Sequence, residues 1–207
     1  GDVYKRQLYD YAGVNPQNGN ALWRNEEGLL TENYAEARRI NAGSPEPLWT
    51  GGFNTELSWK GISLGIQLEA RYGNKVLNQD RELFESDGSY GDQNIWKGAM
   101  NYWKKPGDTN VLPKPVYNNS SNSDRISTRY LEDGSYLRIK DITLAYNLPS
   151  KWTKKALMSG VRIYASALNL YTFHNMNYWD PEHGTTGATI ISYPMTRSMI
   201  VGVDITF

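Results

Sequence analysis

Residues 62–72, ISLGIQLEARY, decide the fold. Ile62, Leu64, Ile66, Leu68, Ala70 and Tyr72 recur at every second position, and Ser63, Gly65, Gln67, Glu69 and Arg71 fill the gaps. A period of two is that of a β-strand, so the stretch predicts a strand with one apolar and one polar face. Immediately upstream, GFNTELSW (residues 52–59) sets Phe53, Thr55, Leu57 and Trp59 on one side and Asn54, Glu56 and Ser58 on the other. Only Lys60 and Gly61 separate the two runs, which predicts a β-hairpin.

Three more segments carry the same period. In YLRIKDITLAYNLP (136–149) the apolar phase slips between Ile139 and Ile142. A one-residue slip would turn every later side chain to the wrong face, so a β-bulge near Lys140 and Asp141 is expected. VRIYASALNLYTF (161–173) keeps Val161, Ile163, Ala165 and Ala167 in phase until Leu168 and Leu170 shift it. The last, RSMIVGVDITF (197–207), holds Met199, Val201, Val203, Ile205 and Phe207 on one face. Its apolar row is strongest where most chains fray into solvent.

The connections alternate between short (60–61, then about a dozen residues after Pro149) and long (73–135, then about two dozen before Arg197). All short turns then lie at one end of the sheet and all long loops at the other. Soluble domains seldom need a loop of that length, whereas outer-membrane barrels combine short periplasmic turns with long extracellular loops. The loops are polar and turn-rich, with ESDGSYGDQ, KKPGD, LPKPV, NNSSNSD and, earlier, NPQNGN. A short helix is expected around Gln93–Lys104, and a helical turn in ENYAEARRI. There is no internal repeat and no sign of a second domain.

Composition narrows the function classes. The 22 basic residues equal the 22 acidic ones, so no charge excess points to nucleic acid. Without cysteine, disulfides and thiol chemistry are excluded. Tyr (15) and Trp (7) far outnumber Phe (4), an excess of side chains that suit interfaces with ligand or lipid headgroups. No apolar run approaches the roughly 18 residues of a membrane helix, but a barrel needs none.

A soluble β-sandwich also alternates. Three features favour the barrel. The apolar rows run over five or six alternate positions, enough for a hydrocarbon layer about 25 Å tall. Opposite them stand Gln67, Glu69, Arg71 and Asp204. Aromatics mark the strand ends at Trp59, Tyr72, Tyr146, Tyr171 and Phe207, where interfacial girdles form. The fold class is therefore all-β: about five or six C-terminal strands of a large antiparallel transmembrane β-barrel with long extracellular loops. Five strands cannot close it.

The runs EDGSYLRIKDITLAYNLP, VRIYASALNLYTF, YWDPEHG and YPMTRSMIVGVDITF, with the earlier YDYAGVNPQNGNALW and PEPLWTGGFNTELSWKGISLGIQLEARYGN, resemble the C-terminal end of SusC/RagA-type TonB-dependent outer-membrane transporters of Bacteroidota. The resemblance covers residues 8–207, and GDVYKRQ (1–7) resembles translated adaptor sequence. It implies a barrel of about 22 strands whose plug and TonB-contacting segment lie outside this chain. Gly1 is then expected to be a cut and Phe207 a true terminus. It further implies localisation in the outer membrane and TonB-energised import of a nutrient, an oligosaccharide first and a peptide second. A SusD-like surface lipoprotein would be the lid, and no cofactor or enzymatic step is implied. The alternatives are a secreted glycan-binding sandwich and a non-transporting barrel such as an adhesin.

For such a protein, ligand-binding candidates are Tyr178, Trp179 and Asp180 in NMNYWDPEHG, since aromatic faces stack on sugar rings and polar edges bond hydroxyls. Trp96 and Trp103 in the long loop are further candidates, although with Tyr102 they have the spacing of a packed helix face. His174, His183, Asp180 and Glu182 have the residue types of a metal site, but nothing in the spacing fixes their geometry, and none is assigned. The basic KWTKK (Lys151, Lys154, Lys155) reads first as a solvated turn and second as a contact for anionic groups. The row Phe207, Ile205, Val203, Val201 and Met199 resembles the signal read by the barrel assembly machinery. Those side chains are expected to face outer-membrane lipid.

Overall fold

A computed structural model describes residues 6–92, 94–117, 119, 121–182, 187–189, 193 and 195–207. The chain divides into two compact units. One, formed by Pro47–Asn74, Gly134–Glu182 and Tyr193–Phe207, carries the sheet. The other gathers the described loop residues of 1–46, 75–133 and 183–192.

The sheet consists of β1 (Trp49–Trp59), β2 (Ile62–Tyr72), β3 (Tyr136–Asn147), β4 (Gly160–His174) and β5 (Ser198–Thr206). The strands lie side by side in chain order, every pair antiparallel. The five strands read from the period of two are those observed, although β1 begins at Trp49, three residues before the expected run. Lys60 (φ 47°) and Gly61 (φ 89°) both take positive φ, the two-residue turn whose twist matches that of the strands it joins. At Gly61 a Cβ would also meet the Asn147 carbonyl at 2.9 Å, so glycine is required twice over.

The expected bulge is present and reconciles the phases. Ile139 pairs with Leu68 and Asp141 with Gln67, leaving Lys140 as the extra residue against β2. Towards β4 the same steps pair Ile139 with Tyr171 and Asp141 with Leu168. There β4 has its own irregularity, where Asn169 takes φ 50°. Ile139 and Ile142 consequently stand on one face despite their odd spacing.

In register, that face forms rows across all five strands. Leu57, Leu64, Leu144, Ala165 and Val201 are successive neighbours, as are Thr55, Ile66, Ile142, Ala167 and Met199. Trp59, Ile62, Tyr146, Ile163 and Val203 make the row nearest the hairpin turn. These side chains are not covered: Leu57 is 60% exposed, Leu144 53% and Val201 79%. Five strands about 4.8 Å apart and about ten residues long give a face on the order of 800 Å², whereas monomeric soluble proteins commonly leave only a few hundred Å² contiguously apolar. A sandwich would bury this face under a second sheet. Exposed aromatics border it, with Trp59 and Tyr146 near the short turns and Trp49, Tyr72, Tyr171 and Phe173 near the long loops.

The loop unit is built from short strands. Gln7–Tyr9 pairs with Arg39–Asn41, and Tyr11–Val14, Ala21–Arg24 and Leu30–Thr31 form a small meander. Lys75–Asn78 lies between Leu131–Asp133 and Ala188–Thr189. Trp23 is buried among Ala21, Ala37, Tyr9, Tyr11 and Tyr34, and a second core joins Leu8, Leu77 and Tyr130. Gln7 belongs to a paired strand and Arg6 donates its N–H to the Gly43 carbonyl, whereas residues 1–5 of the expected non-native start lie outside the described residues.

The helix expected over 93–104 does not form. Its described part holds only a 3₁₀ turn at Lys97–Met100, and Gln93 lies outside the described residues. The Trp103 N–H donates to the Leu112 carbonyl, and the Leu112 N–H donates to that of Asn101, so backbone bonds leave for a neighbouring extended segment. The turn in ENYAEARRI is a 3₁₀ turn at Tyr34–Glu36, capped by the Asn33 side chain accepting from the Ala35 N–H. Among the described residues no helix is long and apolar enough to cross a membrane, which says nothing of strands.

Candidate functional site

On the sheet's opposite face the alternation presents polar side chains, and the bulge concentrates them. Arg138 on β3 is fully buried, with its Nε donating to Thr172 Oγ1 at 3.0 Å. Its two terminal nitrogens donate to Asp180 at 2.5 Å and Glu182 at 2.6 Å. Lys140, the bulged residue, lies 3.0 Å from Glu69 and 3.5 Å from Glu182. The Tyr136 hydroxyl donates to Glu69 at 2.8 Å, and Arg71 stands 3.7 Å from Glu69 and 3.9 Å from Glu182. Three cations thus meet three carboxylates. A buried guanidinium is tolerated only when its charge and donors are both matched, and here two carboxylates and a hydroxyl match them.

Two of those carboxylates arrive from the loop after β4. Asp180 Oδ1 also accepts the Glu182 N–H at 2.8 Å, so Asp180-Pro181-Glu182 is a preformed turn presenting both acids to Arg138. The loop is therefore fastened to the polar face of the sheet.

The sequence candidates distribute unevenly. Tyr178, Trp179 and Asp180 come together along a groove of about 350 Å³ whose wall also includes His174, Met195 and Arg197. Tyr178 takes φ 67° and the Trp179 N–H donates to the Asn177 carbonyl at 2.8 Å, a tight turn that leaves Tyr178 55% exposed. Such strain in a non-glycine residue is typical of sites where a side chain must be displayed. The Asp180 carboxylate is engaged by Arg138. Trp96 and Trp103 belong to the loop unit, each packed on its own neighbours: Trp96 stacks on Phe84 at 4.9 Å, and the Trp103 Nε1 donates to the Pro16 carbonyl at 3.0 Å. Among the described residues no three His, Cys, Asp or Glu side chains are grouped to hold a metal, and His183 lies outside them. Met199, Val201, Val203 and Ile205 share one exposed face of β5, and Phe207 follows the strand 88% exposed.

Sequence reasoning missed Arg138 as the centre of the polar cluster. Its only local signal is a charge in the polar phase of a half-buried strand; nothing local ties residue 138 to residues 180 and 182. A second buried ion pair, Arg129 with Asp87, was equally silent. Arg129 also donates to the Ser123 carbonyl at 2.8 Å and the Glu85 carbonyl at 3.3 Å, pinning segments 85–87 and 123–129 of the loop unit together. Burial there pushes the Tyr11 hydroxyl up to about 12 against the pull of Arg129, and burial raises Tyr130 as well.

No family model matches the chain. Over 96% of its length it is 32% identical to TonB-dependent receptor P3 of Formosa agariphila, and over 91% it is 27% identical to TonB-dependent receptor P26 of the same organism. It spans about a fifth of those relatives, 22% and 20%. A solved structure of the RagAB peptide transporter superposes on 98% of the chain with a TM-score of 0.84 and 29% identity, the chain covering 23% of that one. The RagAB importer in its open-open state gives 0.82 and 30%, again over 98% of the chain. A one-layer antiparallel meander, lipophilic outside and charged inside, is what a large barrel wall requires, and these likenesses agree with it over nearly every residue. Over nearly its whole length the chain is similar to TonB-dependent receptors and to the RagAB transporter, and its sheet matches part of the wall of such a β-barrel.

Proposed function

We propose that the full-length protein resides in the outer membrane and imports a nutrient ligand, drawing energy from TonB and working with a SusD-like surface lipoprotein as lid. The observation that carries this reading is the unbroken apolar face across five registered strands, backed by a charge-balanced polar face. Such a wall separates lipid from a water-filled lumen and does no chemistry of its own. The named relatives, TonB-dependent receptors and the RagAB peptide transporter, support the same reading. A mutant lacking TonB should lose uptake of the ligand while the receptor stays in the outer membrane; recovery of the receptor in the soluble fraction would overturn the proposal.

An oligosaccharide is the first ligand class, on the strength of the Tyr178–Trp179 groove, where ring faces are displayed beside polar edges. A peptide is the second, favoured by the likeness to a peptide transporter. Binding assays with labelled oligosaccharide and peptide pools separate them. The row Met199, Val201, Val203, Ile205 and Phe207 is proposed as the stripe that the assembly machinery reads, so Phe207→Ala should lower the amount of folded barrel more than its activity per molecule.

A further inference from the structure

The turn between β3 and β4 carries features that neither import nor the soluble-turn reading uses. From Leu148 to Gly160 it holds three lysines and no acid. Lys151, Lys154 and Lys155 are all exposed, and among the described residues none has a carboxylate within ion-pair distance. Trp152 and Leu157 are exposed beside them, at 61% and 89%. Leu157 adopts φ 58°, ψ 28° at the end of the helical turn, the left-handed position that glycine normally fills. A strained leucine pointing into water gains nothing within the chain. It does gain if the surroundings are lipid.

The adjoining apolar face supplies the second half. On β4, Ala165 stands between Leu144 and Val201, and Ala167 between Ile142 and Met199. Small residues flanked by large ones make a trough along β4. A groove of about 510 Å³ opens there, lined by Ile62, Leu144, Tyr146, Ile163, Ala165 and Val201. Gly160, where the lysine-bearing turn enters β4, is five residues from Ala165, about 17 Å along the strand. The apolar trough and the cationic turn thus share one strand, in the order of an acyl chain and its headgroup.

We propose that this trough and turn form a site for an anionic glycerophospholipid, its acyl chain lying over Ala165 and Ala167 and its phosphate met by Lys151, Lys154 and Lys155. The proposal rests on the barrel reading. Trp152 and Leu157 then sit at the glycerol level, as amphipathic and apolar side chains do at an interface. The turn becomes an electrostatic anchor at the membrane boundary met by the short turns.

The test uses full-length receptor extracted from outer membranes in mild detergent, with retained lipid measured by native mass spectrometry after exposure to phosphatidylglycerol or phosphatidylethanolamine. Wild type should retain phosphatidylglycerol preferentially. The triple variant K151Q/K154Q/K155Q should lose that preference by roughly fivefold for each lysine engaged, as about 1 kcal/mol per basic side chain at an anionic surface implies. Ala165→Leu, which fills the trough and leaves the charges, should reduce retention of both lipids, and Leu157→Gly, which relieves backbone strain, should still weaken retention. Equal retention of the two lipids by wild type, or an unchanged ratio in the triple variant, overturns the site. Displacement of phosphatidylglycerol by inorganic phosphate alone overturns the lipid assignment. Absence of the receptor from the outer-membrane fraction is a different result, which defeats the barrel reading itself.

Discussion

The fully buried guanidinium of Arg138 lies 2.5 Å from the carboxylate of Asp180, forty-two positions further along the chain. Strand β3 and the loop after β4 are joined by that pair. Removing one partner of a buried ion pair strands the other, at a cost of about 3–5 kcal/mol. Arg138→Ala should therefore lower the unfolding midpoint of the purified receptor in denaturant and expose residues 175–182 to limited proteolysis. Unchanged protease protection would show that the loop is held by other contacts.

The two faces of β2 should respond oppositely to charge. Ile66 is central on the apolar face and Gln67 beside it is exposed on the polar one. An arginine at the lipid midplane costs about 2–4 kcal/mol, while lumen positions accept it. Ile66→Arg should deplete folded receptor from the outer membrane, and Gln67→Arg should leave it near the wild-type level, as measured by heat-modifiable mobility on gels.

Alkaline pH should loosen the loop unit. The Tyr11 hydroxyl is raised by burial to about 12, above its ordinary value of 10. A group whose folded value is raised contributes fully below its unfolded value, and that contribution is lost as pH rises through the folded one. Protection of the backbone around Tyr11 and Tyr130 against hydrogen exchange should thus fall between about pH 10 and 12. Tyr11→Phe should blunt that fall. A flat profile in wild type would contradict the burial of these hydroxyls.

If the groove beside Tyr178 binds ligand, Trp179→Ala should weaken binding by roughly 2 kcal/mol, the scale of an aromatic anchor. Trp96→Ala, which removes a ring stacked on Phe84, should act on loop stability instead. Calorimetry with the identified ligand separates the two, and equal affinities for wild type and Trp179→Ala would remove this residue from the site.

Much of the sheet was legible because strand periodicity is local. Each alternate position of β2 announces its face, and even the bulge at Lys140 left a trace as a slipped phase between Ile139 and Ile142. The failed helix over 93–104 shows the converse: the apolar spacing of Trp96 and Trp103 suited a helix, but hydrogen bonds with the 110–112 segment, invisible in the local pattern, claimed the backbone. Arg138 was hidden for the same reason, since its partners at 180 and 182 are close only after β3 and β4 pair. The left-handed Leu157 could not be read at all, because leucine is an unusual occupant of that conformation.

The central claim, that β2 is a barrel-wall strand between lipid and lumen, is tested most directly by cysteine accessibility. Residues 1–207 contain no cysteine, so single replacements here report cleanly once any cysteine elsewhere in the full-length receptor has been replaced by serine. In full-length receptor in outer membranes whose lumen is opened to solvent, a water-soluble maleimide should label Ser63→Cys and Gln67→Cys and leave Leu64→Cys, Ile66→Cys and Leu68→Cys unlabelled. Equal labelling along the strand, or labelling confined to the apolar set, would contradict the account.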